Sequence, residues 1–103
     1  MENKNKFDKL LIKSIDGALK EIFGETGASI IYDHLQRNHL LKREDIPERL
    51  DDFESGLKEI LSSGAWATET IALKTLYSNF GLEYQDKANY GFLDHIAKLK
   101  KQL

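Results

Sequence analysis

Apolar residues recur at the period of an α-helix in five separate stretches of this chain, and that spacing constrains its fold more than any motif does. In the first stretch Phe7, Leu11, Ile15, Ala18, Leu19 and Ile22 share one side, with Phe23 beside them, the 3.6-residue recurrence of an amphipathic helix. Gly24 follows where a left-handed C-terminal cap belongs. A second helix, starting near Thr26 or Gly27 and ending near His39, turns Ile30, Ile31, Leu35 and Asn38 inward. A third collects Phe53, Leu57, Ile60 and Leu61 on one face and carries Asp51, Asp52 and Glu54 in its first turn, where the helix dipole favours negative charge. The fourth is apolar around most of its circumference (Ala67, Ile71, Ala72, Leu73, Leu76, Tyr77, Phe80), which predicts the most buried helix. The last uses Phe92, Leu93, Ile96 and Leu99 and ends in basic residues.

The breaks agree with this division. Leu40 to Leu50 reads as a connector anchored by Leu41 and Ile46 and stiffened by Pro47, the single proline. Ser62-Ser63-Gly64 is a tight break, Gly81 caps the fourth helix, and Leu82 to Asn89 is a short excursion. Strand-like alternation is confined to a weak hint at Leu82-Glu83-Tyr84. The expected fold is therefore all-α: a compact bundle of five short helices near residues 6–23, 26–39, 51–62, 65–80 and 90–101. With 103 residues it forms one domain spanning 1–103, frayed at 1–5 and 101–103.

Composition narrows the function classes. A hydrophobic fraction of 41% with 31% charged residues is that of a well-folded soluble protein. Net charge is −2, so no global field favours nucleic acid, and none is expected as a partner. Cysteine is absent, which removes disulfides, thiolate zinc sites and cysteine nucleophiles together and fits a reducing cytoplasm. The N-terminal stretch has no uninterrupted apolar core, so a secretory signal is not expected. No run of about 18 apolar residues occurs, so no transmembrane segment is expected either.

The polar clusters read as surface. His34 and His39 are five residues apart, about 140° around a helix, which leaves no common direction for one metal unless the helix ends between them. His34 lies between the directions of Ile30 and Ile31, a hydrogen-bonded histidine at the edge of the core. Asp33 and Arg37 are spaced for an exposed ion pair. The carboxylates between Arg43 and Asp52 lack the spacing of a calcium loop and are interleaved with basic residues. No nucleophile elbow, phosphate loop or dinucleotide fingerprint is present. The expectation is a non-enzyme with no catalytic residue, no cofactor and no metal. The basic clusters Lys4, Lys6, Lys9, Lys13 and Lys98, Lys100, Lys101 lack arginine and interleaved aromatics, and read as solubilising faces rather than a phosphate-binding surface.

"IIYDHL" (Ile30 to Leu35), "KREDIPERLDDFESGLKEIL" (Lys42 to Leu61), "ETIALKTLYSNFGLEY" (Glu69 to Tyr84) and "YGFLDHIAKLK" (Tyr90 to Lys100) resemble the Nitrosopumilus-type output domains, a family of small archaeal helical domains. The resemblance runs from Phe7 to Lys100. Its most specific parts are the run from Ile46 and the "LY..FGL" ending of the fourth helix. It implies an archaeal, non-enzymatic domain that acts at the output end of signal transduction or stands alone, with no catalytic residues to carry over. This sequence departs from the family at His39, where an aromatic is expected, and at Leu50, where relatives tend to have proline. By architecture alone the chain is also similar to saposin-like leaves that open to bind lipid, although those are stapled by disulfides; peripheral lipid binding stays open as the alternative.

A protein partner or a second copy of the chain is the expected ligand. On the first helix Leu10 points away from the core face, and Ser14, Gly17 and Glu21 continue its stripe. Gly17 inside a helix costs about 1 kcal/mol relative to alanine, and close approach of another helix accounts for it. Leu10, Ser14, Gly17 and Glu21, extended by Trp66 at the exposed start of the fourth helix, are the predicted partner-binding residues. The competing reading has the chain's own last helix pack on that stripe.

Overall fold

A helix as long as α1, Glu2–His39, would reach about 57 Å if straight, yet the longest dimension of the molecule is 34 Å. The chain solves this at Gly24. Its backbone (φ 74°, ψ 176°) lies in a region that glycine alone occupies freely, and α1 folds there into two arms. The hydroxyl of Tyr32 donates to Asp16 Oδ1 at 2.9 Å. Along a continuous helix these residues would stand about 24 Å apart, so the arms run back alongside each other. The two sequence-predicted helices are thus both present, and Gly24 does more than cap the first. Gly27 is required nearby, because a Cβ there would stand 2.6 Å from Phe23 Cβ.

The computed structural model describes the backbone of residues 2–87 and 89–102 and the side chains from Lys6 onward. After α1 come a 3-10 helix Arg43–Glu48, α2 Leu50–Leu61, α3 Gly64–Asn79 and α4 Phe92–Lys101. Counting the arms of α1 separately, five α-helices form an all-α bundle among the described residues. Backbone helix begins at Glu2; Met1 and Leu103, expected to fray, lie outside the described residues.

The core is continuous through all of these elements. Phe7, Leu11, Ile15, Ala18 and Leu19 are buried, as are Leu41 and Ile46 of the connector. α3 packs against α1, α2 and α4, and its Leu76 is fully buried, so the predicted central helix is central. Three inward assignments are corrected. Ile22 is 38% and Ile30 59% exposed, and Asn38 is on the surface. The second arm buries only the narrow line Ala28, Ile31 and Leu35, spaced i, i+3, i+7, and Ile30, one step off that line, turns about 100° away. Asn38 continues the line one turn beyond Leu35, where the helix is ending, and Ile22 sits two residues before the break at Gly24. Asp16 secures the join between the arms and the connector. Its burial is opposed by hydrogen bonds from Lys20 and Tyr32 and by the nearby Arg43 charge, and together these hold its carboxyl below the usual range.

Candidate functional site

α2, α3, α4 and the irregular stretch between the last two enclose a cleft of about 450 Å³. α3 contributes Trp66 and Glu69, one helical turn apart, and Glu54 and Lys58 face them from α2. Tyr84, Asp86 and Tyr90 come from the irregular stretch, and Phe92 and His95 from the start of α4. The Gly91 N–H donates to Asp94 Oδ2 at 2.9 Å, which fixes the first turn of α4 and so places Phe92 and His95.

The walls are aromatic and the floor is polar. Trp66 is 64% exposed. On the same cleft the His95 ring packs against Tyr84 and Tyr90, with centroids 5.0 Å away in each case. His95 Nδ1 is hydrogen-bonded to the Tyr77 hydroxyl at 2.8 Å. Burial first, and the Lys98 charge second, lower the pKa of His95, so it is a neutral ring at pH 7.

Glu69 is the exceptional residue. It is 8% exposed, and its Oε2 is buried with no hydrogen-bond partner among the described residues. His95 Nε2, on the same cleft, is unpartnered in the same way. Desolvation, reinforced by the neighbouring Glu54 carboxylate and only partly offset by Lys58, pushes Glu69 up to about 7. Buried polar atoms normally find partners, so two orphans on one cleft mark where a polar ligand gains most. The rings supply the second ingredient. Lys87 and Lys98 already hold their ammonium groups 5.7 and 6.0 Å from the Tyr90 centroid, a cation–π arrangement.

The predicted partner-binding residues divide. Trp66 is exposed as expected and belongs to this cleft. The α1 stripe is not one free surface: Ser14 is buried, and Leu10 packs partly against the core. Gly17 and Glu21 are exposed. A Cβ on Gly17 would meet nothing within 4 Å, so no close approach by the chain's own described helices accounts for that glycine. No α1 residue lines the cleft, which separates Trp66 from the stripe.

The helical-wheel argument about His34 and His39 is overturned too. Both Nε2 atoms meet one atom of α2, Glu59 Oε1, at 3.0 and 2.9 Å. Helix α1 ends at His39, and the ring of this last residue lies against Gly56 of α2. Compared with models of known families, with curated proteins and with solved structures, this chain finds no match.

Proposed function

We propose that this protein is a non-enzymatic binding module of a signal-transduction system, and that its cleft takes the ammonium group of a lysine presented by a protein partner. The observation that carries this reading is the buried, unpartnered carboxyl oxygen of Glu69 beneath aromatic walls. A primary amine supplies the donors that Glu69 lacks, and aromatic faces stabilise the cation by about 0.5–2 kcal/mol each when desolvated. Glu54 and Asp86 add negative charge to the lining, against Lys58. The resemblance to archaeal output domains supports a cytoplasmic signalling setting for such a partner.

Trp66 is the single tryptophan and lines the cleft, so its fluorescence reports occupancy. Titration with a lysine-bearing peptide should shift the emission, and the same peptide with the lysine acetylated should leave it unchanged. Glu69→Gln should weaken binding about 30-fold or more, since losing one partner of a buried charge pair costs about 2 kcal/mol or more. Equal responses to the free and the acetylated peptide would refute the reading.

A further inference from the structure

We infer that His34, His39 and Glu59 form a binding site for a divalent transition-metal ion of zinc type, which ties the second arm of α1 to α2. The site lies outside the cleft and stands independently of the function proposed for it. One ligand atom from each of the three side chains lies within 4.8 Å of the other two, and the two imidazole-to-carboxylate edges are already 3.0 and 2.9 Å. Zinc bonds of about 2.0–2.2 Å to nitrogen and oxygen in a tetrahedral shell set ligand atoms about 3.3 Å apart. The two imidazole-to-carboxylate edges therefore open by a few tenths of an ångström, while the two imidazole nitrogens, within 4.8 Å of each other, close toward the same spacing. Two imidazoles and one carboxylate also make the donor set of open zinc sites, in which water fills the fourth position.

The surroundings are shaped for this convergence. At Gly56, one turn before Glu59 on α2, a Cβ would collide with Leu35 Cδ2 and stand 3.3 Å from His39 Cδ2. The missing side chain lets the ring lie against α2. Arg49 donates to the carbonyl oxygens of His39 and Leu40, both at 2.8 Å, and so fixes the helix end that carries His39. A ring that ligates through Nε2 must hold its proton on Nδ1, where a neighbouring acceptor steadies it. His34 Nδ1 faces the Asn38 side-chain nitrogen at 3.0 Å, and that nitrogen also donates to the His34 carbonyl oxygen at 3.1 Å. A half-turn of the amide therefore offers its oxygen to an Nδ1 proton and gives up that second bond. Without metal, each Nε2–H donates to Glu59. With metal, the lone pairs of both rings and the carboxylate turn to the ion.

The test is zinc alone, added to the full chain. The wild-type protein should retain one zinc per chain through gel filtration, show a higher melting temperature with zinc, and give the strong visible bands of four-coordinate Co(II) when cobalt replaces it. Glu59 is half exposed, and Gln there keeps an oxygen that accepts both ring N–H groups, so Glu59→Gln folds and isolates the loss of charge. It should bind zinc about tenfold more weakly or worse, and His34→Ala should lose the cobalt bands. A wild-type chain that retains no zinc, or retention equal in wild type, Glu59→Gln and His34→Ala, overturns the site.

Discussion

Glu69 interrupts a line of buried residues on α3, Ala65, Thr68, Ala72, Leu73 and Leu76, at a position where helical spacing points inward. Its burial was therefore legible in the chain, as was that of His95, which shares a face with Phe92, Ile96 and Leu99. A search for catalytic spacings overlooks both, because each stands alone in the sequence. The raised pKa has a direct consequence for stability. Glu69 titrates near 7 in the folded chain and in the ordinary carboxylate range when unfolded, so the folded state holds the extra proton between those values. The contribution of Glu69 to stability is therefore fully present below the unfolded value and is lost as pH rises to about 7. Glu69→Gln should flatten this fall, as measured by denaturant midpoints across the window. Leu40 carries a different strain. It is 80% exposed with φ 51°, a left-handed conformation that costs a side-chain-bearing residue about 1–2 kcal/mol. Part of the relief is lost to the greater freedom of glycine in the unfolded chain. Leu40→Gly should therefore stabilise by about 0.5–1 kcal/mol, read as a higher denaturant midpoint with unchanged slope.

Among the elements, α3 is the one that packs against α1, α2 and α4 alike. Leu76 is fully buried where α3 meets its neighbours, and Leu76→Ala should cost about 2–5 kcal/mol in chemical denaturation. A neutral result would place the centre of the bundle elsewhere. Periodicity located every α-helix because each buries one face, yet it missed features that depend on local hydrogen bonding. The connector holds a 3-10 helix closed by bonds such as Asp45 N–H to the Lys42 carbonyl at 3.0 Å, and a three-residue repeat leaves no trace in a 3.6-residue pattern. α4 starts at Phe92 instead of Tyr90, because the Asp94 carboxylate captures the Gly91 N–H. The hairpin inside α1 was legible as a break at Gly24, but its closeness rests on Tyr32 meeting Asp16, a pairing that no single helix reveals.

Across the whole molecule, function gathers where elements distant in sequence meet. The cleft takes residues from α2, α3, α4 and the stretch before α4, and the paired histidines find Glu59 only once α1 and α2 lie side by side. Sequence spacing named one cleft residue, Trp66, from its exposure; helical spacing also places Glu69 inward, but that it shares a cleft with Tyr84, Tyr90 and His95 emerges only from the tertiary arrangement. The central claim is that this acid is held ready for a cation, and isotope-edited NMR of the Glu69 carboxyl tests it most directly. In the free protein its titration midpoint should lie near 7. With the cleft saturated by a lysine peptide it should drop toward the ordinary carboxylate range, because the bound ammonium favours the charged form. A midpoint already in that range without ligand, or one near 7 that the peptide fails to move, would contradict the account.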